Sequence, residues 1–422
     1  MTTGHQDVIV VGAGVAGLSA AAALAGSGAK VALLERRPYI GGRAYSYNHP
    51  ALEETIDSQH VVLGCCTNIL DLCQKAGMAD TIRWYDELIF LEPTGRRTLL
   101  RSSSLPAPAH QAISFFRAPM LSLRDKAAIA TGLTRFLRGY PADDTESFAN
   151  WLKRTGQTDR AIRHFWEPVV VGALNDTFDR CSVKYAGKVF HESFLRSPEA
   201  GRLGIPAAPL SEFFTPVADL AIRQGVEFKL KSGVERIEQL PDNRWQVLAG
   251  GQLYTADSVI LATDFRQTHA LTASLPSAPT SHFDEFIPAP ITTIHLWYDR
   301  DVTGLDHAVL LDTRIQWVFV KSRIRRWPAE RGCYLELVIS ASWPELEMNR
   351  EAILNSAITE FETFFPAAKQ ARLLKSGILK EARATFSVTP GLDAFRPTQT
   401  TQWPGLYLAG DWTATEIGRA HV

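Results

Sequence analysis

The first continuous apolar run of the chain, residues 8–11, reads Val-Ile-Val-Val. β-Branched side chains at every position of so short a run predict a strand buried on both faces. Residues 18–25 are almost entirely Ala and Leu and predict a helix; Gly26 and Gly28 end it, and residues 31–34 (Val-Ala-Leu-Leu) predict a second buried strand. Apolar spacing near 3.6 then predicts helices over 69–76, 123–137 and 147–155, so the region 61–209 reads as mostly helical, interrupted by Pro106 and Pro108. A helix through Ile222 and strands near 226–230, 233–238, 244–248 and 258–263 fill the middle. Strands at 291–298, 315–320 and 334–340, a helix over 350–365 and a strand at 373–382 follow.

Between the first strand and helix lies Gly12-Ala13-Gly14-Val15-Ala16-Gly17. In that context G-x-G-x-x-G predicts a dinucleotide site: Gly12 permits the tight turn, Gly14 lets a pyrophosphate approach, and Gly17 lets helix and strand pack closely. The helix N-terminus then faces the phosphate charge. Glu35 closes the second strand, near the spacing of about twenty residues at which a carboxylate meets an adenosine ribose. The bland alternative is a Gly-rich buried βαβ unit without ligand.

Past the second strand, Pro38, Tyr39 and Ile40 lead into Gly41-Gly42-Arg43, and far downstream a short apolar strand ends in Gly410-Asp411. Together with the opening unit, these segments resemble the flavoprotein superfamily that includes amine oxidases and phytoene desaturases. The resemblance implies FAD, with Arg43 near its phosphates and flavin, Asp411 at its ribityl chain and the Val234 backbone at its adenine. The implied cofactor contacts are Gly12, Ala13, Gly14, Ala16, Gly17, Glu35, Arg36, Gly42, Arg43, Val234, Gly410 and Asp411; a solvated Arg in a glycine turn is the alternative for Arg43. The implied fold class is α/β. A discontinuous Rossmann-like FAD-binding domain (1–60, 210–264, 402–415) carries an inserted α+β substrate domain (61–209, 265–401).

Asp57-Ser58-Gln59-His60, Phe165-Trp166-Glu167-Pro168, Ala173-Leu174-Asn175, Ile205-Pro206 and Pro209-Leu210-Ser211 narrow the resemblance to the squalene-associated flavoproteins, the hydroxysqualene dehydroxylases. That family's segment is usually D-N-x-Q-H, one residue longer than here, so Gln59 and His60 carry over and the role of Asp57 does not follow. The narrower resemblance implies reductive removal of an allylic hydroxyl from a long isoprenoid alcohol, giving squalene for hopanoid synthesis. No motif identifies an electron donor. His60 is the candidate proton donor, since its pKa range suits proton transfer, or a structurally satisfied histidine. Gln59 shares its segment, Asn175 either hydrogen-bonds the substrate oxygen or caps a turn, and Trp166 is tunnel wall or core. Rival readings are a carotenoid desaturase or amine oxidase of the same fold, a prenyl-lipid carrier, and a plain NAD dehydrogenase, which would not explain Gly41-Gly42-Arg43 or Gly410-Asp411.

Composition narrows the field further. Over 422 residues, 44 basic and 45 acidic side chains leave a net charge of −1, which gives no overall field to recruit nucleic acid. Five cysteines match no common zinc spacing, so no metal site is expected, and a reducing compartment is the simpler reading. Residues 8–29 carry no charge and are long enough to span a bilayer, but their glycines belong to the nucleotide turn and no Lys or Arg precedes Val8. The expected location is cytoplasmic, with at most peripheral contact at the inner membrane face. Ser114–Leu121, with Phe115-Phe116 beside Arg117, reads as an ordinary buried helix edge or as the candidate for that contact, the helix edge being favoured. Residues 416–422 read as an in-frame translation of a common sequencing-adapter stretch and are expected to be a non-native tail.

Overall fold

The computed structural model describes residues 2–275 and 282–415; the expected tail lies outside them. Two seven-stranded sheets organise the chain. The first runs Glu227–Lys229, Val31–Leu34, Thr2–Val11, Gln252–Leu261, Trp245–Ala249, Val234–Gln239, with Leu406–Leu408 also paired to Gln252–Leu261. Its glycine-turn half is parallel, and Trp245–Ala249 and Val234–Gln239 extend it antiparallel.

Period-two alternation explains why the parallel strands read as unbroken apolar runs. Ile9, Val11, Ala32 and Leu34 enter one core with Ile237, Trp245 and Val247. Val10, Val31 and Leu33 enter another on the opposite face, against Leu18 and Ala21 of helix Val15–Gly26 and Phe213, Phe214 and Val217 of helix Leu210–Arg223. The uncharged stretch 8–29 is therefore strand, turn and helix within this sheet unit. Among the described residues, no helix is long and apolar enough to cross a membrane.

Register then decides where the turns meet. Val11 pairs with Leu34 and with Leu261, and Leu261 pairs with Leu408. Four parallel strands thus end level, which brings Gly12, Glu35, Ala262 and the 409–411 turn to one edge, the crevice where open α/β sheets bind ligands.

The second sheet runs Leu373–Phe386, Pro288–Tyr298, Cys333–Ser340, Trp317–Phe319, His307–Leu310, Glu87–Leu91, Arg97–Arg101. Its last two strands come from the region read as mostly helical. Ile294, Leu296, Leu335, Leu337 and Ile339 turn toward helix Arg350–Phe364, packing on Ile353, Ala357 and Phe361. The alternate residues His295 and Glu336, directly paired across the strands, lie on the other face. Helices Phe148–Arg154, Glu167–Leu174 and Val183–Phe190 surround an aromatic core of Phe136, Phe148, Trp151, Trp166 and Phe190. Trp166 belongs to that core: it is fully buried, and its indole N–H donates to Gln157 Oε1 at 2.8 Å.

Candidate functional site: a glycine crevice and a histidine segment

The first turn has the shape of a pyrophosphate cradle. Gly12 sits at φ +103, and a Cβ there would meet the Ala262 carbonyl oxygen at 2.8 Å, so both backbone angle and space demand glycine. A Cβ on Gly17 would fall 1.9 Å from the Gly12 carbonyl oxygen, which is the close helix-to-turn packing the motif needs. Gly14 differs: a Cβ there would find its nearest neighbour, Gly42 Cα, at 3.9 Å, leaving room on the crevice side. Helix Val15–Gly26 starts from Gly14 with no side-chain cap and no acidic residue in its first turn, which includes Ala16. Its N-terminal N–H groups are therefore available to an anion.

Glu35 is buried at the crevice edge. Its Oε2 accepts the Ala13 N–H and its Oε1 the Arg37 N–H, both at 2.8 Å. Those bonds orient the carboxylate, and each oxygen keeps a second lone pair for a ribose hydroxyl. The 231–234 segment docks beside it: Ser232 N–H donates to the Glu35 carbonyl at 2.8 Å and Lys231 N–H to the Arg37 carbonyl at 3.1 Å. A Cβ on Gly233 would touch Arg36 Cβ at 3.2 Å, so Arg36 and Val234 lie on one rim, where an adenine and its ribose would rest.

The second glycine pair packs directly on the first. Gly41 N–H donates to the Ala13 carbonyl at 2.8 Å, and a Cβ on Gly42 would meet Gly14 Cα at 3.0 Å. Arg43 then reaches across the crevice. Its guanidinium pairs with Asp411 Oδ1 at 2.6 Å and donates to the Ala384 carbonyl at 3.2 Å. Two residues from opposite ends of the chain are thus in direct contact. Gly410 and Trp412 hold that turn, the Trp412 indole donating to the Thr263 carbonyl at 2.9 Å. Buried Arg396 steadies it further by donating to the carbonyls of Asp411 at 2.9 Å and Thr415 at 3.1 Å.

His60 and Gln59 lie in the short irregular segment between strands Glu54–Asp57 and Val62–Leu63. His60 Nδ1 is 2.9 Å from the Ser58 carbonyl, an acceptor, so Nδ1 carries the proton and Nε2 is the ring's acceptor. Burial holds the imidazole below its ordinary pKa; Ser58 and Asp57 oppose that, while the charges of Lys321 and Arg43 reinforce it. Gln59 donates its side-chain amide to the His60 carbonyl and its backbone N–H to Glu336 Oε1, the latter at 2.7 Å. Gln59 Oε1 is buried with no hydrogen-bond partner among the described residues, an acceptor suited to a ligand donor.

Asp57 anchors the segment. It accepts the Leu210 N–H at 3.0 Å and pairs with Lys321 at 2.9 Å and Arg325 at 3.0 Å. Burial alone would raise its carboxyl; the two cations bring it well below the usual range. Lys321 also reaches Glu336 at 3.0 Å. Sequence reading missed Lys321, Arg325, Glu336 and Arg396. A signal existed for two of them: Glu336 interrupts an otherwise apolar strand, and Lys321 follows the run Val318-Phe319-Val320.

Asn175 is the exception among the candidate catalytic residues. It closes helix Glu167–Leu174 in the left-handed conformation, φ 55 and ψ 35. Its Oδ1 accepts the Ala341 N–H at 2.8 Å and its amide donates to Thr385 Oγ1 at 3.0 Å, with 3% of the residue exposed. This geometry fits the turn cap rather than the substrate contact, because both ends of the amide are spent on the fold.

Residues 15–421 match the model of the flavin containing amine oxidoreductases. The chain is 26% identical to a 15-cis-phytoene desaturase of Narcissus pseudonarcissus, over 96% of this chain and 75% of that protein. It is 24% identical to a zeta-carotene desaturase of Synechocystis, covering 96% and 92%. Among solved structures, an oxidoreductase from Methanosarcina mazei superposes with a TM-score of 0.74 at 18% identity, covering 98% of this chain and 97% of that one, a likeness of fold.

Proposed function

Because this chain belongs to the flavin-containing amine oxidoreductase family, we propose that it exchanges hydride between its flavin and the carbon skeleton of a long isoprenoid, in the dehydrogenating direction of a carotenoid-type desaturase. FAD is the cofactor, and when bound it supplies the two-electron chemistry. The glycine turn with the uncapped helix start would hold its pyrophosphate, Glu35 its ribose, the Arg36–Val234 rim its adenine, and Arg43 with Asp411 its flavin end. The names of the desaturases similar to this chain support the substrate class.

The observation that carries the direction is the state of His60. A neutral ring with Nδ1–H on the Ser58 carbonyl offers a lone pair at Nε2, so it can take the proton from the carbon next to the one that gives up hydride, the electrons of that C–H bond becoming the new double bond. To protonate a departing hydroxyl it would first have to gain a proton, which burial opposes. Reductive dehydroxylation of hydroxysqualene remains the second reading, favoured by the Gln59-His60 and Trp166-Glu167-Pro168 segments. An anaerobic assay separates the two. Oxidised holoprotein with phytoene or zeta-carotene in liposomes should bleach its flavin while the polyene absorbance moves to longer wavelength. Squalene formed from hydroxysqualene as photoreduced flavin reoxidises, with no change in either polyene, would overturn the proposed direction.

The same reading includes contact with an anionic bilayer. Leu105, Ile113, Phe116 and Leu123 are exposed, Phe116 by 64% and Leu123 by 80%, and Arg117 and Arg124 stand exposed beside them. Exposed apolar side chains with cations next to them in the sequence would suit acidic headgroups above acyl chains, the medium a long isoprenoid would come from.

A further inference from the structure

The proposed proton chemistry makes no use of the charges behind His60. Two carboxylates, Asp57 and Glu336, meet two cations, Lys321 and Arg325; Asp57, Glu336 and Lys321 are buried, and Arg325 is partly exposed as a residue with its side chain 7% exposed. Asp57 ends a strand on the cofactor side. Lys321 and Arg325 belong to and follow the short helix Lys321–Ile324, and Glu336 lies within Cys333–Ser340 of the second sheet. Lys321 touches both carboxylates, at 2.9 and 3.0 Å, while Asp57 binds Leu210 N–H and Glu336 binds Gln59 N–H. A buried ion cluster costs much desolvation and contributes little stability over an apolar core of the same volume. What it adds is fixed geometry.

That geometry falls on a part of the site lacking regular structure. Residues 58–61 are neither helix nor strand, so no backbone ladder orients them. Glu336, by contrast, is rigidly held, paired across strands to His295 on one side and to Phe319 on the other. We propose that Glu336 and Lys321 are positioning residues: the Asp57–Lys321–Glu336 bridge pins residues 58–61 between the two sheet units and thereby sets where the His60 ring stands relative to Arg43. This rests on the proton role given to His60, and the test separates the two ideas.

The test uses full-length protein loaded with FAD and uniformly labelled with 15N, with His60→Gln assigning the ring signal. In the wild type the Gln59 amide should exchange slowly with solvent despite lying outside any strand; exchange at open-loop speed overturns the proposal without any variant. Glu336→Ala removes the acceptor, so the His60 signal should leave its single Nδ1–H form and titrate closer to an ordinary histidine. The double variant Lys321→Met with Glu336→Gln keeps one oxygen for the Gln59 N–H but breaks the bridge to Asp57, so the His60 signal should shift as it does in Glu336→Ala. A wild-type His60 spectrum in folded Glu336→Ala, or in the folded double variant, overturns the positioning role. If Glu336→Ala displaces His60, kcat with the substrate found above should fall roughly 10²-fold, the usual worth of a placed acid or base. A displaced ring with unchanged kcat upholds the positioning and removes His60 from the proposed chemistry.

Discussion

Gly14 and Gly17 share one turn, yet the space around them assigns them different work. The Gly17 Cβ position is occupied by the Gly12 carbonyl, whereas Gly14, at φ −71, has no neighbour within ordinary contact range except Gly42 Cα. Gly17→Ala should therefore destabilise the protein itself, with or without cofactor, by shifting a backbone that cannot yield cheaply. Gly14→Ala should leave apoprotein stability within about 0.5 kcal/mol of wild type while weakening FAD binding by roughly tenfold or more, since the added methyl enters the space the pyrophosphate needs. Thermal melts of apoprotein beside FAD titrations distinguish the two; equal FAD affinity in Gly14→Ala would place the pyrophosphate elsewhere.

At the scale of elements, turns and phase breaks decide most of what sequence periodicity missed. Two π-helical turns, Ile162–Trp166 and His191–Leu195, lead into helix Glu167–Leu174 and continue helix Val183–Phe190. Each extra residue per turn rotates the apolar stripe out of a 3.6 register, so a fixed-period reading finds a helical region but not these helices. The hairpin Glu87–Leu91 with Arg97–Arg101 was hidden for another reason. Its apolar run suits strand or buried helix equally, and its outer partner His307–Leu310 lies far along the chain. The Asn175 cap ends one of these helices and ties it to Ala341 and Thr385. Asn175→Ala loses two buried hydrogen bonds and a residue tolerant of the left-handed conformation, so it should cost about 2–4 kcal/mol of stability by urea unfolding. Unchanged stability with impaired turnover would return Asn175 to the substrate.

Across the whole molecule, two carboxylates of the buried cluster respond to pH in opposite senses. Glu336 is raised to about 6 from its ordinary 4.5 by burial, against the pull of Lys321. A raised carboxyl favours the folded state below its ordinary value and loses that contribution as pH rises through the folded one. Asp57, lowered, contributes above its ordinary value and loses this only in strong acid. Between pH 4.5 and 6 the melting temperature of wild type should therefore fall relative to Glu336→Gln; a constant difference across that window would mean Glu336 is not buried as described. The surface prediction belongs to this scale too. Phe116→Asp with Leu123→Asp should reduce binding to vesicles containing phosphatidylserine, and binding that survives would remove the bilayer from the proposal.

By itself the sequence determined whatever depends on neighbours along the chain. Strand, glycine turn, helix, strand and Glu35 follow one another directly, so local spacing predicted the nucleotide crevice, and the resemblance carried by Gly42-Arg43 and Gly410-Asp411 named two further contacts of that site. Only the tertiary structure decided what depends on contacts across hundreds of residues: that Arg43 and Asp411 pair at 2.6 Å, that Asn175 is consumed by a turn, and that Glu336 reaches back to Gln59. The physical reason is that periodicity tells which face of an element is buried, while strand register and the packing of one sheet against another choose the partner that face meets.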